Sequence, residues 1–128
     1  MKRTLMTLSV LLILSGCSTS RPLYNVHDAA VFTGSGSQPT LDKVRRAIVT
    51  AATGKGWSVK DIDAGHLLAT LNLRKHMAQV VIAYSTRSYS ITYKDSHTLN
   101  YDGTRIHRNY NNWIRNLEIR INRQLARS

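Results

Sequence analysis

From Trp57 to Tyr93 the apolar residues recur at every second position, and this alternation limits the fold more than any other feature of the chain. Trp57 and Val59 open a first run, which ends in the turn-like cluster Asp61-Ile62-Asp63-Ala64-Gly65. Leu67, Ala69, Leu71 and Leu73 make a second run, Ala78, Val80, Ile82 and Tyr84 a third, and Tyr89, Ile91 and Tyr93 a fourth. A period of two sends neighbouring side chains to opposite faces of a strand, so each run has one apolar face. With Lys75-His76 as a two-residue loop, Leu73 faces Ala78, Leu71 faces Val80 and Ala69 faces Ile82. With Thr86-Arg87 as the next loop, Tyr84 faces Tyr89, Ile82 faces Ile91 and Val80 faces Tyr93. Both pairings gather the large apolar side chains on one face, and a slip of one residue would break this.

Helical spacing flanks these strands. Thr40 is suited to cap a helix and Asp42 to its positive end. Leu41, Val44, Ile48 and Ala51 or Ala52 then form one stripe, and Gly54 and Gly56 stop it. After the connecting loop Ser96–Gly103, the spacing of Ile106, Tyr110, Trp113, Leu117, Ile121 and Leu125 predicts a second helix over 104–126. One apolar sheet face and two apolar helix stripes satisfy each other if both helices cover that face. The expected fold is α+β, a two-layer sandwich of helix, four-stranded antiparallel meander and helix. Residues 40–127 form its single domain, and the length hardly allows two.

The N-terminus reads differently. Lys2-Arg3 precedes an apolar run from Leu5 to Leu14, closed by Leu14-Ser15-Gly16-Cys17. The run is about ten residues, against the roughly 20 that span a bilayer, and the pattern predicts a signal peptide over residues 1–16. Here the chain resembles the bacterial lipoproteins, whose lipobox ends in an acylated cysteine. That resemblance implies that Cys17 becomes the lipidated first residue, carrying a diacylglyceryl group and fatty acid such as palmitate. Ser18 stands where an inner-membrane retention signal would place Asp, which implies the outer membrane. Cys17 is also the only cysteine, so no intramolecular disulfide forms. Residues 17–39, rich in Ser, Thr, Gly and Pro, read as the lipidated end and a flexible tether. Within them Ala29-Ala30-Val31-Phe32 either docks on the domain or belongs to the linker. From Tyr93-Lys94-Asp95-Ser96 and Asn100-Tyr101-Asp102-Gly103 to Trp113 the domain looks like those of small proteobacterial lipoproteins. Its helix–sheet–helix order is similar to the small domains of accessory lipoproteins in outer-membrane β-barrel assembly.

Chemistry is sparse in what remains. Ser96, His97, Asp102 and His107 are the nearest approach to a catalytic set, but no Gly-x-Ser-x-Gly elbow accompanies them. An envelope hydrolase built on them is the weakest reading. His27, His66, His76, His97 and His107 are scattered without a close metal-ligand pair, so neither a metal nor a cofactor is expected. Tyr84, Tyr89, Tyr93, Tyr110 and Trp113 fall on the faces assigned to the core rather than on a ligand platform. Charge is more informative, with 18 Lys and Arg against seven Asp and Glu. Arg105, Arg108, Arg115, Arg120 and Arg123 lie along the last helix, either as a solvated face or as a contact for an anionic surface. Arginine suits phosphate and carboxylate because its planar fork donates two bonds at once. Thr70, Asn72, Gln79, Val81, Ala83, Ser90 and Thr92 make the outer sheet face flat and nearly uncharged, and the first and fourth strands are edges open to a partner strand. The expectation is a non-enzymatic, outer-membrane-anchored lipoprotein whose periplasmic domain binds an envelope protein partner. The alternative is binding of anionic lipid or lipopolysaccharide through the basic helix. Nucleic acid is not expected as a partner.

Overall fold

The computed structural model describes residues 18–128. Two short strands come first, β1 (Ser20–Pro22) and β2 (Val26–Ala30), followed by helix α1 (Leu41–Gly54). Strands β3 (Ser58–Asp63), β4 (His66–Leu73), β5 (His76–Tyr84) and β6 (Ser88–His97) run next. The chain ends with β7 (Arg105–His107) and helix α2 (Arg108–Ala126). The result is an α+β fold with a five-stranded antiparallel sheet, ordered β2-β6-β5-β4-β3, and a two-stranded sheet of β1 and β7.

The meander β3 to β6 follows from the alternation. Inward residues Leu67, Ala69, Ala78, Val80, Ile82 and Ile91 are sealed from solvent. Val44, Ile48, Ala51 and Ala52 of α1 and Tyr110, Ile114, Leu117, Ile121 and Leu125 of α2 join them in one core. Both helices therefore cover one sheet face. At about 1.5–3 kcal/mol per fully buried large aliphatic side chain, this contact supplies most of the drive to fold.

Local signals set the ends. The Thr40 side chain accepts from the Lys43 amide at 3.2 Å, capping α1. Gly56, at φ 89°, turns the chain out of the helix, and the Trp57 amide donates back to the Ala52 carbonyl at 3.0 Å. Trp57 is buried beneath that turn.

Several expectations need correction. The sheet has five strands because residues 26–30, assigned to a tether, pair with β6, Val26 opposite Ile91. Residues 20–22 pair with β7. Val26 is buried at 4 % exposure, and its burial outweighs the coil-like composition around it. β6 is thus an interior strand, and the edges are β2 and β3. The β4–β5 loop is Arg74-Lys75, not Lys75-His76, so Leu71 faces Ala78 and Ala69 faces Val80. That two-residue offset preserves the face, as a period of two requires. The second hairpin pairs Tyr84 with Tyr89, Ile82 with Ile91 and Val80 with Tyr93, in the register the alternation predicts.

The last helix starts at Arg108, because Arg105–His107 form a strand; Ile106 is buried from that strand. Ile114 takes the core position expected of Trp113, which is only half-buried and lies 6.3 Å from the His76 ring. Leu41 and Leu73, placed on apolar stripes by their spacing, stand at element ends and are exposed.

Candidate functional site

The most distinctive arrangement is where the N-terminal segment joins α2. The amide of Arg108, first residue of the helix, donates to the Thr19 carbonyl at 2.8 Å. Arg105 holds the same segment through Nε to Ser20 Oγ and Nη2 to the Ser20 carbonyl, both at 3.0 Å. One turn into α2, the buried Asn111 side chain accepts from the Tyr24 amide at 3.0 Å and donates to the Pro22 carbonyl at 2.8 Å. Its amide thus imitates a neighbouring strand for a segment that has none there. Tyr24 then lies along the helix, with its hydroxyl donating to Glu118 at 2.9 Å and the Arg115 guanidinium 4.6 Å from its ring centroid. Burial, together with Glu118, raises the phenol's pKa, so Tyr24 remains a neutral donor.

Around this join lies an open groove of about 460 Å³, walled by Arg21, Tyr24, Arg108, Asn111, Asn112 and Arg115. Arg108, Asn112 and Arg115 are four and three residues apart and share one helix stripe. That stripe continues to Ile119, an exposed hydrophobic side chain. Of the other expected arginines, Arg123 is exposed in the last turn, Arg120 is half-buried, and Arg105 is engaged with Ser20. The ion pairs among the described residues belong to Arg45 with Asp61, Arg46 with Asp42 and His66 with Asp63. Within those residues, no arginine of α2 is neutralised by a carboxylate in contact. Arg21, Tyr24 and Asn111 were not among the expected site residues. The signal was present in Arg21-Pro22-Leu23-Tyr24, where an aromatic and a leucine interrupt an otherwise coil-like stretch.

Of the residues weighed for catalysis, Ser96, Asp102 and His107 are engaged in structural hydrogen bonds, and His97 is exposed at the end of β6. Ser96 Oγ lies 2.8 Å from the Tyr93 hydroxyl. Asp102 accepts from the amides of Thr104 and Arg105, which hold its carboxyl below the usual range. His107 caps α2 by accepting from the Asn109 amide at 3.1 Å through Nδ1. His66 contacts Asp63 and His76 contacts Thr98, each at 2.6 Å. Tyr89 and Tyr110 are core residues, and the Tyr93 ring meets Tyr101 at a tilt and Tyr110 edge-on, with centroids 4.1 and 5.6 Å apart.

Cys17 lies outside the described residues. Residues 1–18 match the model of the prokaryotic membrane lipoprotein lipid attachment site. That match supports a lipid-anchored membrane lipoprotein. Among the described residues no helix is long and apolar enough to cross a membrane. No curated protein and no solved structure matches the chain.

Proposed function

We propose that this lipoprotein is a non-enzymatic binding module of the outer membrane, its domain facing the periplasm and lying against the lipid surface. The observation that carries this reading is the short join between attachment site and fold. Thr19 is already bonded to α2, so only Ser18 separates the attachment cysteine from ordered structure. Two residues of extended chain reach about 7 Å at most. An acylated Cys17 would keep the N-terminal end of α2, where Arg108 stands, beside the headgroups, within a Debye length of about 8–10 Å. Ser18 in place of an inner-membrane retention signal supports the outer membrane, and the structural engagement of Ser96, Asp102 and His107 supports a role without catalysis. Density-gradient separation of membranes, with mass spectrometry of the N-terminal peptide, tests the placement. The expected result is outer-membrane material beginning at an acylated Cys17; an unmodified thiol with residues 1–16 retained overturns it.

A second reading, docking of a protein partner in envelope assembly or maintenance, has its own support. The sheet face opposite the helices carries Thr70, Gln79, Val81, Ala83, Ser90 and Thr92 with no layer over it among the described residues. Photo-crosslinking from Gln79 or Thr92 in intact cells would give a discrete protein adduct on this reading. Adducts only to lipid would refute it.

A further inference from the structure

We infer that the groove between the N-terminal segment and α2 is a seat for the phosphate of an anionic lipid headgroup, gripped by Arg21, Arg108 and Arg115. The inference rests on the membrane-surface reading and adds a specific site to it. Arg21 and, from a separate part of the chain, Arg108 and Arg115 line one concavity of about 460 Å³. Arg21 is held in place through Nη1, which donates to the carbonyls of Ser18 and Ser20 at 2.6 and 2.8 Å. Its Nε and Nη2 have no acceptor among the described residues. Arg115 is oriented by the Tyr24 ring instead of by a carboxylate. Glu118, the nearest acid along the helix, accepts from the Tyr24 hydroxyl and does not line the groove.

These arginines keep donors for a tetrahedral, multiply accepting anion, and a fork donating two bonds matches phosphate closely. Asn112 adds a neutral amide on the same wall. The ligand's source follows from position: the groove is built on residues 21–24, three to six positions past the end of the attachment-site match. A headgroup beside the anchor therefore meets it at high effective concentration. Exposed Ile119 on the same helix stripe suits the acyl boundary below such a headgroup.

The test uses the full-length lipoprotein purified from membranes and placed in nanodiscs, with arginine Nε–H resonances as the readout. Three samples are compared: phosphatidylcholine alone, phosphatidylcholine with phosphatidylglycerol, and phosphatidylcholine with added inorganic phosphate. The expected result is a shift of Arg21, Arg108 and Arg115 with phosphatidylglycerol only, Arg120 and Arg123 being little changed. The double variant R108Q/R115Q, with its amide spectrum otherwise retained, should lose at least tenfold in apparent affinity for phosphatidylglycerol, about 1.4 kcal/mol. R120Q/R123Q should lose less than twofold. Equal shifts in all five arginines would replace the seat with a diffuse charged face, overturning the inference and leaving the membrane reading intact. A shift with inorganic phosphate as large as that with phosphatidylglycerol would overturn the lipid source. Absence of broadening of every domain arginine by a headgroup spin label would overturn the membrane reading as well.

Discussion

Asn111 of α2 bonds both the amide of Tyr24 and the carbonyl of Pro22, so one buried side chain fastens the N-terminal segment to the body of the domain. Asn111→Ala removes both bonds and leaves two backbone groups facing a methyl. The two groups are only part-buried, so each should fall in the lower part of the range of about 1–3 kcal/mol for a stranded polar group, about 2–4 kcal/mol in total. Urea unfolding measures it. Hydrogen exchange should report it locally, because the Tyr24 amide loses protection while the amides of β4 and β5 keep theirs. Uniform loss of protection would mean that the segment is integral to the core and not clamped onto it.

A second link joins α1 to β3. Arg45 donates through Nε and Nη2 to the two carboxylate oxygens of Asp61, at 2.7 and 2.6 Å. That hydrogen bonding holds the Asp61 carboxyl below its ordinary 3.8. A carboxyl whose pKa is lower folded than unfolded contributes stability above its unfolded pKa and loses it as pH falls through the folded one. Stability should thus decline on acidification below about pH 4. Asp61→Asn should flatten that part of the profile while changing the melting temperature little near neutrality, since the pair is exposed and such pairs are weak. An unchanged acid limb in melting curves would assign the decline to other carboxylates.

Tyr110 behaves differently at the other end of the pH scale. It is fully buried, and its hydroxyl finds no hydrogen-bond partner among the described residues. Burial pushes its pKa, and that of Tyr89, well above the ordinary 10.0. A phenol whose pKa is higher folded than unfolded supports the fold below its unfolded pKa, and that support is lost as pH rises through the folded value. Stability should fall above about pH 10. Tyr110→Phe removes the unpaired hydroxyl, so it should be neutral or stabilise by up to about 2 kcal/mol, and the alkaline loss should shrink. Tyr89→Phe should shrink the alkaline loss too, but destabilise at neutral pH, because the Tyr89 hydroxyl donates to Asn122 at 2.6 Å. Thermal melts of both variants across pH separate the two cases.

The β4–β5 turn shows what the sequence could and could not reveal. Alternation constrains which face Leu71 and Ala69 take but is blind to a two-residue offset, since both registers bury the same set. The arbiter is the backbone: Arg74 takes φ 58°, and Arg-Lys carries none of the Gly or Asn that would have advertised such a turn. Arg74→Gly should relax this conformation and raise stability by a few tenths to about 1 kcal/mol, read in urea melts. The core face, the Thr40 cap and the second hairpin were legible because each rests on local spacing. β1 and β2 were not, for their pairing depends on β7 and β6, about 60 to 85 residues away. The arginines of α2 were legible as a charged stripe; the groove was not, because Arg21 and Tyr24 reach it only through that distant pairing.

The short join carries the functional reading, and lengthening it is the direct test. Inserting about six Gly and Ser residues between Ser18 and Thr19 leaves the Thr19 carbonyl on Arg108, so the melting temperature should not change. Such a linker has a root-mean-square span of about 13 Å, beyond the Debye length of about 8–10 Å at physiological ionic strength. The arginines of α2 would then feel the headgroups only when the domain swings back. Broadening of Arg115 by a headgroup spin label should fall in the insertion variant at physiological salt. It should recover at low salt, where the screening length grows to about 30 Å. Broadening that persists at every salt concentration would mean that contacts other than charge hold the domain to the membrane, with exposed Ile119 the first to replace.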